Sequence, residues 1–164
     1  MTFDPTGDRL AAIGATEPGQ ATLDVPVGPL RVLEREADRT VLDGSVVGFW
    51  WSPDGKTIAA LRLQPADVEA STGGSEAHLL FVDAQSGDIT SQTAVVPGRL
   101  FITQLLTYFD QYALSHRLWS PDSATFLMPI MTSDGATRVA VLRRDGGDPV
   151  LIDGQAGFWS PPTD

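Results

Sequence analysis

The sequence lacks cysteine and asparagine altogether and contains a single lysine, Lys56. Without cysteine there is no disulfide and no thiolate metal site, and without asparagine there is no acceptor for N-glycosylation. Long apolar runs are missing too: a membrane-spanning helix needs about 20 apolar residues in succession, and the runs here are only a few residues long. We therefore expect no membrane insertion.

Positive charge is scarce as well, because 11 Lys and Arg stand against 21 Asp and Glu, which gives a net charge of −10. The arginines are scattered along the chain, and such a surface repels phosphate backbones, so we expect no nucleic-acid partner. The first ten residues, MTFDPTGDRL, have neither the basic start nor the apolar run of an export signal. The length of 164 residues fits one domain.

What the sequence does contain is a repeated motif, an aromatic residue followed after one residue by proline. Its copies are FDPTGDRLAAIG, WSPDGKTIAAL, WSPDSATFLMP and WSPPTD, which begin at Phe3, Trp51, Trp119 and Trp159. A second landmark precedes two copies, since VLDGSVVGFWWSP resembles LIDGQAGFWSP. Two landmarks in the same order indicate an internal repeat.

The four motif prolines are 48, 68 and 40 residues apart. Such periods are typical of four-stranded propeller blades or of paired-helix arrays. Short β-rich runs separated by Gly, Pro and Asp favour blades, and DAQSGD and RRDGGDP are typical of hairpin turns. The predicted strands are Ile58–Leu63, His78–Val82, Ile89–Val96, Phe126–Met131, Arg138–Leu142 and Val150–Ile152.

The motif has a local structural explanation. Proline fixes φ at the start of a turn, aspartate hydrogen-bonds its own backbone, and glycine adopts a positive φ, so the chain reverses from the innermost strand into the second. We expect each motif ring to be buried between neighbouring blades. The residues given this structural role are Phe3, Pro5, Gly7, Trp51, Pro53, Asp54, Gly55, Trp119, Pro121, Asp122, Trp159 and Pro161.

The aromatic-Ser-Pro-Asp-Gly turn followed by a TIAALRL-type strand resembles the repeat of TolB-type, WD40-like β-propellers. It is also similar to the propeller domain of prolyl-oligopeptidase-type peptidases. The resemblance implies an all-β, antiparallel, partial propeller of about three four-stranded blades, and a periplasmic or extracellular location if the TolB-type likeness holds. Members of this fold include partner-binding proteins and peptidase gates, so the motif indicates fold better than function.

The repeat divides the chain into approximate blades 1–48, 49–98 and 112–156, an insertion at 99–115, and the start of a further blade at 157–164. Closed propellers have about four to eight blades, so three leave two apolar faces that need a cover. We expect the remaining blades of a larger parent chain to cover them. Self-association of the chain as a homo-oligomer is the alternative.

Two insertions extend one face of the predicted blades, QPADVEASTGGSE at 64–76 and the segment from Pro97 to Pro121. The latter carries Phe101, Leu105 and Phe109 at helical spacing, which predicts a short amphipathic helix or an apolar lid. A polar cluster follows it near the predicted channel and is the candidate binding site, unless these side chains only satisfy backbone in a plug between blades. Its members are Tyr108, Asp110, Gln111, Tyr112, Ser115 and His116.

Catalytic patterns are weak. The sequence has no Gly-x-Ser-x-Gly nucleophile elbow, and its two histidines, His78 and His116, do not have the spacing of a zinc motif. We therefore expect no catalytic residue, no metal and no cofactor; calcium bound by the Asp-rich turns is the alternative, although no loop has the EF-hand spacing. The favoured function is a non-enzymatic scaffold that binds a protein partner or a small ligand on the face with both insertions. The alternative is a substrate-gating segment of a larger serine peptidase or hydrolase.

Overall fold

The computed structural model describes residues 1–14, 26–35, 37–65, 75–108, 111 and 116–160. Strands dominate these residues, with one π-helix among them, Phe101–Leu106. No helix in these ranges has the length and apolar character needed to cross a membrane. The strands are β1 (Thr2–Phe3), β2 (Arg9–Ile13), β3 (Gly28–Glu34), β4 (Ala37–Trp51), β5 (Thr57–Pro65), β6 (Ser75–Asp83), β7 (Ile89–Val95), β8 (Thr125–Met131), β9 (Thr137–Arg143) and β10 (Val150–Asp153).

All strand pairs are antiparallel and follow chain order, β1 to β7 in one sheet and β8 to β10 in another. The long strand β4 belongs to two units, because Ala37 to Leu42 pair with β3, Ser45 to Trp51 pair with β5, and Val46 pairs with both. Gly44 separates the two parts with a φ of +98°, a conformation that favours glycine. Strand β4 is thus the outer strand of the first blade and the inner strand of the second.

The third blade has the same plan. Trp119 bridges Phe126 of β8, so the segment at Trp119 is the inner strand beside β8, β9 and β10. The described residues therefore form three four-stranded antiparallel units, and the predicted fold class, an all-β partial propeller of about three blades, is confirmed. The six strands predicted from residue pattern coincide with β5 to β10 to within a few residues.

Aromatic side chains fill the space between the second and third blades. Phe81 on β6 lies 5.3 Å from Trp119 and 6.4 Å from Phe126, ring centre to ring centre. Trp50 extends the cluster, at 5.4 Å from Phe126 and 5.6 Å from Phe101 of the π-helix. Large rings at this position hold flat sheets apart while excluding water, which explains the aromatic residues at the blade repeat.

The burial predicted for the motif rings holds for Trp119, which is 5% exposed, but is wrong for Phe3, which is 64% exposed. Trp51 and Trp159 are half-buried. The difference follows from position. Trp119 lies between two blades, whereas Phe3 lies on the first inner strand, where no described residue covers its open side.

The loop in the first insertion and the helix in the second are both shorter than the sequence predicts. Strands β5 and β6 remain paired as far as Pro65 and Ser75, so the loop between them is shorter than predicted, and residues 66–74 lie outside the described ranges. In the second insertion the predicted helix is present but spans only six residues, with Phe101, Leu105 and Leu106 buried. Phe109 lies outside the described residues.

Candidate functional site

The second motif forms the turn that its residues predict. The Ser52 hydroxyl donates to Asp54 Oδ1 at 2.6 Å, and the same carboxylate oxygen accepts from Lys56 N at 3.0 Å. Ser52 Oγ also accepts from Thr57 N at 3.0 Å, and Gly55 has a φ of +67°. The side chains of this motif therefore satisfy the backbone of their own turn.

The third motif repeats these contacts with serine in place of glycine. Asp122 Oδ1 accepts from the Ser120 hydroxyl at 2.6 Å and from Ala124 N at 3.1 Å. Ser123 holds a φ of +60°, which is strained for a residue with a side chain. Its Oγ accepts from Asp54 N of the second blade at 3.0 Å. Because the third motif has serine where the second has glycine, it gains a hydroxyl that links the second and third blades.

Charged groups strengthen the same junction. Arg144 Nη1 lies 3.0 Å from Asp54 Oδ2. Burial by itself would raise the pKa of the Asp54 carboxyl, but hydrogen bonds from Ser52, Lys56 N and Arg144 outweigh it and lower the pKa below its ordinary value. The turn end of the second blade is thus held to the third by one hydroxyl and one ion pair.

The first motif uses a buried carboxylate instead of serine. Asp4 is 4% exposed and accepts from Asp8 N at 3.0 Å, from Arg9 N at 3.2 Å and from Arg9 Nε at 2.9 Å. Burial would raise the pKa of Asp4, yet the hydrogen bonds from Arg9 and Thr6 lower it. Arg9 also donates to Gly55 O at 2.5 Å and lies 5.0 Å from the centre of the Trp51 ring.

A cavity of about 690 Å³ lies where the three inner strands end and turn. Trp51 Nε1 donates to Thr2 O at 3.3 Å, and Trp119 Nε1 donates to Trp50 O at 3.0 Å. Since these indole N–H groups are already hydrogen-bonded, the rings present mainly carbon to the cavity. The wall consists of Met1, Thr2, Phe3, Asp4, Pro5, Trp50, Trp51, Pro53, His116, Arg117, Leu118, Trp119 and Pro121.

The rim of this cavity supplies its polar groups. Arg117 is exposed and His116 is partly buried, and both line the cavity. The His116 ring contacts Phe158 edge to face, with ring centres 4.7 Å apart. Because the Asp4 carboxylate is already bonded to Arg9, the available charge at the rim is positive, in contrast to the acidic molecule as a whole.

Of the predicted binding residues that the structure describes, Tyr108, Gln111 and His116, the one that lines this cavity is His116. Tyr108 and Gln111 are exposed, and Gln111 N donates to Tyr108 O at 3.0 Å. Asp110, Tyr112 and Ser115 lie outside the described residues. The cavity is also at the turn end of the blades, whereas the sequence pattern placed the site at the end with the insertions.

Sequence reasoning gave a purely structural role to several cavity residues, among them Trp51 and Pro53. It missed six others, which are Met1, Thr2, Asp4, Trp50, Arg117 and Leu118. The doubled tryptophan of GFWWSP was the available clue, because the corresponding segment GFWSP has only one. The turn motif that stabilises each blade also lines this cavity, since the three described inner strands end on the same side.

The described residues contain no group of three or more His, Cys, Asp or Glu side chains that could hold a metal ion. His78 lies on β6, where its Nδ1 is 2.9 Å from Gln92 Nε2. Its strand neighbours place it in the middle of a blade, away from the cavity that His116 lines.

No family model and no curated protein matches the chain, so the resemblance to TolB-type repeats stays a prediction. Among solved structures, the chain is similar to an acylaminoacyl peptidase in complex with Z-Gly-Gly-Phe-chloromethyl ketone, a member of the prolyl-oligopeptidase family with a β-propeller domain. The TM-score is 0.60 at 11% identity, over 93% of this chain and 24% of that chain. At this identity the likeness shows the fold alone, and the chain spans about a quarter of its neighbour's length.

Proposed function

We propose that the chain is a non-enzymatic binding scaffold, part of a larger propeller, that holds an apolar segment of a protein partner in the cavity at the turn end of its inner strands. The observation that carries this proposal is the cavity itself. Its volume of about 690 Å³ is within the range of about 300–1,000 Å³ that is usual for ligand sites.

The wall favours an apolar occupant. Trp50 and Trp119 are each 5% exposed and fixed by packing, so they form a rigid surface that loses little entropy on binding. Phe3 is 64% exposed at the same cavity, and an occupant that covered its ring would remove apolar surface from water. Prolines 5, 53 and 121 complete a wall with few donors.

The rim favours a negative group beside the apolar segment. Arg117 is exposed at the cavity, and a guanidinium binds a carboxylate through two parallel hydrogen bonds. The net charge of −10 slows the association of acidic partners at low salt. We therefore expect the Arg117 guanidinium to fix where a bound carboxylate lies rather than to speed its association.

Dye binding tests the proposal without a known partner. The probe is 1-anilinonaphthalene-8-sulfonate, which combines apolar rings with one anionic group, titrated against the full chain and read by energy transfer from tryptophan. We expect Arg117→Glu to weaken binding about tenfold, the effect of losing one charge-assisted contact. Arg99→Glu is the matched control, because Arg99 is exposed and lies outside the cavity lining.

Equal effects of the two substitutions would contradict the proposal, since the dye would then respond to net charge or to another apolar surface. Trp51→Ala provides a second check, because Trp51 lines the cavity and is only half-buried. It should raise the dissociation constant of the dye, read here by direct excitation of the dye because the substitution removes a tryptophan donor, while the chain still unfolds cooperatively in urea.

A second candidate function is a substrate-gating segment of a larger hydrolase. The structural likeness to a peptidase with a propeller domain favours it, together with the small share of that chain that is matched. Hydrolysis of an N-acylated aminoacyl anilide by the full-length parent protein would support this candidate. Absence of hydrolysis by a folded full-length protein would leave the scaffold as the better account.

A further inference from the structure

The outer side of the third blade is an open apolar sheet face. Cross-strand partners share a side of a sheet, and Leu127, Val141 and Val150 form one such row, with Val139 and Ile152 in the next. Val150 is 62% exposed and Ile152 is 53% exposed. Gly157 lies against Leu127 and Val139, so the segment that follows the blade begins to cover this face and leaves its outer part open.

The junction between the first and second blades and the junction between the second and third contain the same type of hydrogen bond. This recurrence indicates how the third blade would join a fourth. In each, the motif ring of the following blade donates from Nε1 to the carbonyl of the residue before the preceding motif ring. Trp51 donates to Thr2 O at 3.3 Å, and Trp119 donates to Trp50 O at 3.0 Å. We call this contact the indole latch.

For the third blade, the equivalent acceptor is Leu118 O and the equivalent donor is Trp159. Leu118 O accepts one hydrogen bond, from Leu127 N at 2.8 Å, and a carbonyl has a second lone pair. Trp159 Nε1 is buried without a hydrogen-bond partner among the described residues. Its neighbour Phe158 is 46% exposed, whereas Trp50, which stands directly before the motif ring of the second blade, is 5% exposed.

The first blade of a second copy does not fit this junction. Its motif ring is Phe3, which has no N–H, so it cannot form the indole latch. Gly7 stands where Ser123 of the third blade accepts a bond from Asp54 N, so the linking hydroxyl is missing as well. A head-to-tail dimer would therefore leave Leu118 O without its second donor.

We propose that the open face of the third blade is a docking surface for a fourth blade of the same repeat whose inner strand contains Trp159, and not for a second copy of the chain. The proposal rests on the proposed function only in taking the chain as part of a larger propeller. By analogy with the pair of Asp54 and Arg144, the fourth blade carries an arginine that pairs with Asp122.

The test appends a copy of residues 121–153 after Ser160 of the full chain. This supplies the turn, the three remaining strands and the counterparts of Ser123 and Arg144. We expect hydrogen exchange of the Trp159 indole N–H, assigned by NMR, to slow about tenfold or more. The reason is that a hydrogen-bonded N–H in a cooperatively folded unit exchanges only when that unit opens. We also expect Trp159→Phe to lower the folding equilibrium constant of the extended chain about fivefold, the loss of one hydrogen bond.

Unchanged exchange of the Trp159 indole in a folded, extended chain would overturn the proposal. So would a stable dimer of the unextended chain, measured by light scattering, that Val150→Asp and Leu33→Asp each abolish, because Leu33 is 41% exposed on the first blade. Dye binding at the Arg117 rim is read separately. If the unsubstituted chain did not bind the dye at this cavity, that result would contradict the proposed function and would not affect the proposal of a fourth blade.

Discussion

Replacing Trp119 by phenylalanine tests the packing between blades most sharply. The substitution keeps an aromatic ring in contact with Phe81 and Phe126, whose ring centres lie 5.3 Å and 5.5 Å away. It removes the indole N–H that donates to Trp50 O at 3.0 Å, together with the ring atoms that fill the space next to it.

The expected loss of stability is the sum of two terms. One buried hydrogen bond contributes about 1 kcal/mol. The smaller ring leaves a cavity and forfeits contacts worth about 1–2 kcal/mol, since Trp→Ala in a core costs about 3–5 kcal/mol. Because Trp119 is 5% exposed, neither term is reduced by solvent, and the free energy of unfolding should fall by about 2–3 kcal/mol.

The assay is urea unfolding followed by circular dichroism, with Trp51→Phe as the matched control. Trp51 makes the equivalent latch at 3.3 Å but is half-buried, so its substitution should cost about 1 kcal/mol. If Trp119→Phe cost no more than Trp51→Phe, the third blade would not be packed on the second as described, and the reasoning would fail.

Three further predictions concern the same junctions. Ser123→Ala should lower the free energy of unfolding by about 1–2 kcal/mol, because it removes the acceptor for Asp54 N, and Ser123→Gly should cost less because it relieves a φ of +60°; equal losses would contradict this. Asp54 has a lowered pKa, so its ionised form stabilises the fold above about pH 4 and this contribution disappears as the pH falls through the lowered pKa. Asp54→Asn should therefore flatten the acid limb of a pH titration of stability, and an unchanged limb would refute the assignment. Gly48→Ala would place a Cβ 2.6 Å from Leu106 Cδ1 and 3.1 Å from Trp50 Cη2. Because both side chains are buried, the substitution should destabilise by about 1–3 kcal/mol in thermal unfolding, and a neutral result would contradict the close packing around Gly48.

The blades could be predicted from sequence because their causes are local. Strands β5 to β10 follow from β-rich runs between turn residues, and Gly55 with its φ of +67° follows from the Ser-Pro-Asp-Gly turn. Each of these depends on neighbours within a few residues along the chain, which a repeat makes visible.

The site could be predicted only in part, because it depends on contacts distant in sequence. His116 belongs to the predicted polar cluster and lines the cavity, but its partners there, such as Thr2 and Trp50, come from other blades. The exposure of Phe3 also depends on which neighbour covers the first inner strand, and residue pattern treats all motif rings alike. The cavity is a property of how inner strands converge, which no single copy of the motif encodes.

The most direct test of the three-blade packing is a solution NMR measurement of contacts between the second and third blades. The account predicts nuclear Overhauser effects from the Trp119 ring protons to Phe81, and from the Trp119 indole N–H to the backbone of Trp50, because both contacts span blades that are far apart in sequence. Contacts of Trp119 confined to its own blade, with none to Phe81 or Trp50, would contradict it.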